Sequence, residues 1–590
     1  MAHKQLGVVV TSEGTRFGVW APFAETVGVA GGFNNWSPTP MERDERGNWW
    51  TTITDVQPGQ EYKYVLTYGG QEHYKNDPRS LQLTTNAGNS LIADHEFDWQ
   101  NDTFTPAPRN KQVIYEMHIG TFNRPDAATF GTFQTAIEKL DYLQDLGINT
   151  IELMPICSMS MDRGWGYAPD YIYAVESLYG GRHGLLTFVR EAHKRGIAVI
   201  LDVVYNHFGP GDGLDLWQFD GWNVDEMGGI YFYNDWRAET PWGSCRPDYG
   251  RSEVRSYITD NVKFWLRDCH IDGLRLDSTI YIRNVQGHNN DPDNDIADAW
   301  KLMQQITKTA HAVKPTSFVI AEDSSGNDYI TKPIHEGGAG FGSQWQVTFP
   351  HAVRQALDNA DDASRDLATI TGELTQYYNG DAFQRVVYSD SHDSSANGSA
   401  RLSEQIDPGD ASDIYARRRS LLASALTLTA PGIPMLLQGQ EFMQDGDFND
   451  WRELDWHRAH KFDGIVTAHK HLIDLRRDVH GNTAGLSGNG TSILHLNHDT
   501  KVLAYHRWDQ GGPGDDTVII FNFTNQLLAD YTIDFPAAGT WKVRFNSDWQ
   551  GYSPDFTNHP TEDVVVNEDT ANTGTLSIAP YSVVVLSREI

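Results

Sequence analysis

Four apolar runs in this chain end on side chains that can move protons or attack carbon. LDVVYNH carries Asp202 and His207, GLRLDS carries Arg275 and Asp277, FVIAED carries Glu322 and Asp323, and VVYSDSHD carries His392 and Asp393. In a strand, residues two apart share a face, so Arg275 and Asp277 lie side by side. A guanidinium beside a carboxylate favours the ionised form, and that is the form a nucleophile needs. Glu322 follows a wholly apolar run and precedes a second carboxylate. Desolvation and like charge there raise its pKa and suit it to general acid work. Asp202 alone could instead cap loop amides, and His392–Asp393 alone could be a structural pair. Taken together, the carboxylates are the equipment for cleaving a glycosidic bond. No GxSxG elbow, HExxH helix or glycine-rich phosphate loop competes with them.

These residues need a scaffold that brings strand ends together. From about residue 113 the pattern alternates short apolar runs with helical stretches. Strands are expected at Val113–Ile119, Thr150–Met154, Ala198–Val204, Gly273–Leu276, Ser317–Ala321, Gln344–Val347, Arg385–Tyr388 and Ile433–Leu437. Buried parallel strands are nearly continuously apolar, as these are. Eight of them with intervening helices fit an α/β fold, a (β/α)8 TIM barrel over 113–487, whose catalytic groups sit at the C-terminal strand ends. An insertion at about 208–250, rich in Gly, Trp, Asp and Tyr, follows the third strand. Residues 1–100 show short strands with turn signals at Asn34-Asn35, Gly47-Asn48 and Pro58-Gly59, which fits a small β-sandwich. Residues 488–590 are strand-rich again and are expected to form a C-terminal β-sandwich.

Composition narrows the ligand. The chain of 590 residues has 46 Lys and Arg against 79 Asp and Glu, a net charge of −33. That opposes nucleic acid and anionic membranes as partners. Aromatic residues make up 12%, with 18 Trp, and aromatic faces suit neutral amphipathic ligands such as sugars. Trp36, Trp49 and Trp50 are candidate stacking rings, at least one of which belongs to the sandwich core. Three cysteines, Cys157, Cys245 and Cys269, fit neither a disulfide framework nor a metal site. The start of the chain lacks a secretory pattern, so a cytoplasmic location is expected.

At these residues the chain resembles glycoside hydrolase family 13, the α-amylase superfamily. The family's ordered motifs appear as DVVYNH (202–207), GLRLD (273–277), IAED (320–323) and SHD (391–393). FGVWAPFAETVGVAGGFNNW (17–36) resembles the starch-binding-like module preceding branching enzymes, isoamylases and trehalohydrolases. The resemblance implies Asp277 as nucleophile, Glu322 as acid/base and Asp393 as the third carboxylate. It implies that Tyr167 of GWGY, Asp202, His207, Arg275 and His392 hold the sugar next to the scissile bond. The substrate would be an α-glucan or maltooligosaccharide, cleaved at α-1,4 bonds through a covalent glycosyl-enzyme. SHDSSANG (391–398), PGIPMLLQGQEF (431–442) and ELDW (453–456) resemble branching enzymes, and the reading leans toward branching-type transfer. DVVYNHFGP (202–210) and TPWG (240–243) resemble maltooligosyltrehalose trehalohydrolases, so trehalohydrolase or amylase-type hydrolysis stays open. Asn206 matches a calcium-ligand position of many amylases, but no partner carboxylates accompany it, and neither metal nor cofactor is expected. A catalytically silent glucan-binding relative would lack one of the three carboxylates, and all three are present.

Overall fold

A computed structural model describes residues 5–589 apart from 87, 127, 162–163, 210–213, 568 and 570–571. Pro210, which ends the DVVYNHFGP run, lies outside the described residues. At the centre is a closed barrel of eight parallel strands. They are β1 (Ile114–Met117), β2 (Thr150–Leu153), β3 (Ala198–Val203), β4 (Gly273–Leu276), β5 (Phe318–Ala321), β6 (Ser343–Trp345), β7 (Arg385–Val387) and β8 (Ile433–Leu437). All eight expected runs therefore form barrel strands, in sequence order, with β8 closing on β1.

Two ends differ from the apolar pattern for local reasons. The run Val113–Ile119 stops pairing at Met117, because the next amide, of His118, donates to the side-chain oxygen of Gln438 (2.9 Å) rather than to the ladder. The run Gln344–Val347 pairs only over Ser343–Trp345, since Val347 already caps the helix Thr348–Leu357. Inside the barrel, Ile114, Ile200, Ile320, Trp345, Val386, Tyr388, Ile433 and Met435 pack as one apolar cluster. That plug lies below the upper, C-terminal strand ends, where the catalytic groups of such barrels sit.

The N-terminal module is a sandwich. A four-stranded sheet built from Gly7–Thr11, Gly14–Trp20, Asn48–Ile53 and Glu42–Arg43 faces a second sheet centred on Thr26–Gly31 and Glu61–Tyr68. The interruption at Pro22 is where the chain crosses between the sheets. Trp49 is buried in this core (8% exposed) with its indole N–H on Ala21 O, whereas Trp36 stays exposed. The C-terminal module holds a six-stranded antiparallel sheet and a two-stranded one. Buried arginines fasten it to the barrel. Arg507, on the strand Val502–Trp508, donates to the carbonyls of Thr429 and Gly488 (both 2.7 Å), and Arg418 pairs with Asp548 (2.6 Å). Among the described residues, no helix is long and apolar enough to cross a membrane.

Gly273 opens β4 and matters to everything above it. A Cβ there would stand 2.5 Å from the carbonyl oxygen of Phe318 on β5. Gly273→Ala must push β4 from β5, at a cost of about 1–3 kcal/mol. A lowered urea midpoint with unchanged slope is the expected result, and an unchanged midpoint would show that the strands yield freely.

Candidate active site

Strand register sets the first contacts. Asp202 on β3 pairs in register with Arg275 on β4. Both point inward, and Arg275 Nη1 donates to Asp202 Oδ2 (2.6 Å) and to Asp277 Oδ1 (3.0 Å). Asp277 and Glu322 occupy matching places just past β4 and β5. Their amides continue the two ladders, onto Val203 O and Leu276 O (both 3.0 Å). Arg275 Nη2 lies 3.0 Å from Glu322 Oε2, an ion contact without hydrogen-bond alignment. Ser278 then adopts φ +44°, a left-handed conformation costly for a residue with a Cβ. The turn aims its N–H at Glu322 Oε2 (2.8 Å). One buried guanidinium thus gathers three carboxylates at the barrel mouth, and its face rests 4.3 Å above the ring of Trp345.

The environments of these groups differ. Burial pushes Glu322 up to about 8, against the pull of Arg275 and with help from Asp277 and Asp393. It therefore carries a proton at neutral pH. Asp277 receives a donor on each oxygen: Arg275 on Oδ1, and the side-chain amide of Asn206 on Oδ2 (2.6 Å). Burial pushes Asp202 up to about 6, opposed by Arg275. Its Oδ2 also accepts from the Tyr167 hydroxyl (2.7 Å), while its Oδ1 is buried without a partner. Burial pulls His207 down to about 4, so it is neutral.

On the opposite wall, His392 is buried, yet Asp393 and Glu116 together raise it to about 10 and keep it a cation. Its Nδ1 meets Glu116 Oε1, its Nε2 lies 3.4 Å from Asp393 Oδ1, and its ring stacks on Tyr167 (5.1 Å, 21°). Asp393 itself is half exposed, with 49% of its side chain open to solvent. The eight residues singled out in the sequence, Tyr167, Asp202, His207, Arg275, Asp277, Glu322, His392 and Asp393, thus surround a single mouth. Asp323 does not share it: it turns away to pair with Arg283 (2.8 Å).

Three further participants carry no such signal, and a fourth, Asn206, resembles only a calcium-ligand position. Glu116 on β1 orients His392, Trp345 on β6 floors Arg275, and Asn206 holds Asp277 rather than standing free for a metal. Glu152 on β2 is buried, and desolvation drives its pKa well above the carboxylate range. A glutamate inside an otherwise apolar barrel strand was the available clue for Glu116 and Glu152. Among the described residues, no group of three or more His, Cys, Asp or Glu side chains could hold a metal ion.

The arrangement can supply a proton from Glu322, a carboxylate from Asp277 held by a donor on each oxygen, and hydroxyl-binding groups around both. Known proteins are similar to the chain over most of its length. The α-amylase catalytic-domain model matches residues 117–217 and 210–498, and its C-terminal all-β domain matches 493–589. Carbohydrate-binding module 48, the isoamylase N-terminal domain, matches 5–80. The chain is 31% identical to the 1,4-alpha-glucan branching enzyme GlgB of Corynebacterium jeikeium, over 92% of this chain and 78% of that one. It is 31% identical to GlgB of Oceanobacillus iheyensis, over 91% and 86%. Its fold is similar to a pullulanase from Paenibacillus barengoltzii solved with maltotetraose, at TM-score 0.77 and 23% identity, covering 100% of this chain and 96% of that one.

The charge state of Glu322 is directly measurable. Carboxyl infrared difference spectra should show a buried protonated acid that ionises near pH 8, and the band should vanish in Glu322→Gln. Ionisation of that band near pH 4 would contradict the environment described.

Proposed function

Because the chain belongs to the α-amylase family, glycoside hydrolase family 13, we propose that it is a retaining α-glucan enzyme of the 1,4-α-glucan branching type. The observation that carries this reading is Arg275 contacting both Asp277 and Glu322, which puts a carboxylate and a protonated carboxyl at one mouth. Similarity to branching enzymes over more than nine-tenths of the chain supports transfer over hydrolysis.

The reaction has two steps. In the first, Glu322 gives its proton to the glycosidic oxygen as the bond from that oxygen to the anomeric carbon breaks. Asp277 attacks the same carbon and forms an ester, and the reducing-end fragment leaves. In the second, a 6-hydroxyl of another glucan attacks the anomeric carbon. Its proton passes to Glu322, the ester bond breaks and Asp277 is freed. Two inversions give net retention. Arg275 and the Asn206 amide hold Asp277 in place for the attack. Asp202, His207 and His392 bind hydroxyls of the donor sugar, and Tyr167 stacks on it. Asp393 bridges hydroxyls and offsets positive charge developing on the ring.

A cytoplasmic place of action belongs to this reading, because all three cysteines are buried thiols without a disulfide.

Incubation with amylose, and separately with maltooligosyl trehalose, followed by linkage-resolved NMR, tests the reaction. New α-1,6 signals are expected. Free trehalose would make the enzyme a trehalohydrolase, and short maltooligosaccharides alone would make it an amylase. Asp277→Asn should fold normally and lose at least about 10⁴-fold in kcat, the scale seen when a covalent nucleophile is removed. Near-normal turnover in that variant would sink the assignment. kcat/KM should fall above about pH 8 as Glu322 loses its proton.

A further inference from the structure

Away from the mouth, a cleft of about 1120 Å³ runs between the N-terminal module and the outside of the barrel. A small organic ligand needs about 300–1000 Å³. The edge strand Gly7–Thr11 and Arg79 line it from the module, and the helix Ser252–Lys263 that follows β3 lines it from the barrel. Phe97 and Trp99, on the segment that joins the two, line it as well. None of the eight mouth residues does.

The charge of this cleft runs against the rest of the chain. Lys and Arg on its lining outnumber Asp and Glu five to three, whereas over the whole sequence they are outnumbered 46 to 79. Asp260 is shared by two cations, Arg79 (3.0 Å) and Lys263 (2.9 Å), and Arg267 takes Asp268 (2.7 Å). Arg182 pairs with no carboxylate among the described residues. It is buried, its Nη1 donates to the carbonyl of Asp94 (2.8 Å), and its Nε has no partner. It also lies in the first turn of the helix Gly181–Lys194, where the dipole opposes a cation. A buried cation so placed is costly unless an anion joins it.

The cations and the rings gather at one end. Below Lys263 the helix widens into a π-helical turn, Phe264–Asp268, closed by the Cys269 N–H on Phe264 O (3.1 Å). Such turns are rare and are frequent at functional sites. Here it brings Arg267 and Asp268 onto the lining. Arg182 and Asp268 both act on His95, so Arg182 stands near that turn. Phe97 packs against His183, the neighbour of Arg182 in sequence (5.4 Å), and meets Trp99 edge to face (4.8 Å, 71°). Trp99 is held flat on His270 (3.7 Å, 5°).

We propose that this cleft is a binding site for a phosphorylated sugar. The phosphate takes Arg182, Lys263 and Arg267, and the sugar lies against Phe97 and Trp99. Phosphate supplies the anion that Arg182 lacks, and partly buried rings suit the apolar face of a sugar. The same chemistry is offered by a free hexose phosphate and by a phosphorylated glucose unit within a glucan. Either would be held beside the module without occupying the mouth.

Isothermal titration calorimetry on the full chain tests this, with glucose 6-phosphate as the probe. The readout needs no turnover, so it stands or falls apart from the glucan-transfer reading. Glucose 6-phosphate should bind at least about tenfold more tightly than either glucose or inorganic phosphate, the scale of one lost charge-assisted contact or one lost ring contact. No binding overturns the proposal, and so does equal affinity for either fragment. Arg182→Gln should weaken binding about tenfold. Lys263 is 42% exposed, so Lys263→Gln keeps the fold even if Arg182→Gln does not, and it should also weaken binding. Unchanged affinity in Lys263→Gln overturns the proposal. Saturating Asp277→Asn protein with maltoheptaose must leave the affinity as it was, and competition would place the ligand at the mouth and overturn the cleft. Maltotetraose carrying one 6-phosphate identifies the source. Tighter binding than glucose 6-phosphate assigns the site to a phosphorylated glucan and weaker binding to a free sugar phosphate, and both uphold it.

Discussion

The guanidinium of Arg275 is wholly removed from water, and a charge in that position must be neutralised where it sits. Asp202, Asp277 and Glu322 do so from three neighbouring strands. The planar fork matters, because a lysine offers a point charge and could not span three oxygens in fixed directions. Trp345 covers a face of the guanidinium at 4.3 Å, and the Tyr167 ring lies 5.9 Å from it. Each of the three carboxylates depends on this centre differently. Asp277 gains a fixed donor, Asp202 is partly held ionised against its burial, and Glu322 makes an ion contact too poorly aligned to strip its proton. The remaining polar wall follows from the same logic with His392 as the cation and Glu116 and Asp393 as its anions.

Much of this was legible in the chain because strand and register are local. Arg275 and Asp277 share a face by alternation alone, and each apolar run that ends on a carboxylate becomes a barrel strand. Glu116 was not legible, since it meets His392 only after β8 closes on β1, across 276 residues of sequence. Trp345 is an ordinary core residue until Arg275 lies over it. Asn206 was read through its resemblance to a calcium-ligand position, whereas geometry commits its amide to Asp277.

The same device, arginine buried against oxygen, also assembles the molecule. Arg507 and Arg476 donate to backbone carbonyls at the junction of barrel and C-terminal sheet, and Arg418 pairs with a fully buried Asp548. The bonds of Arg507 and Arg476 end just before β8, which closes the barrel on β1. The C-terminal module is thus fastened to the barrel at the step in the chain that leads into β8.

The unpartnered oxygen of Asp202 carries a further consequence. It is acceptor-only when ionised, and it is closed off from solvent, so any donor must come from a rearrangement of the wall. The cations that balance the mouth, Arg275 and His392, are both committed to carboxylates, so the wall as built holds its charges in fixed pairs and offers Asp202 no further donor of its own.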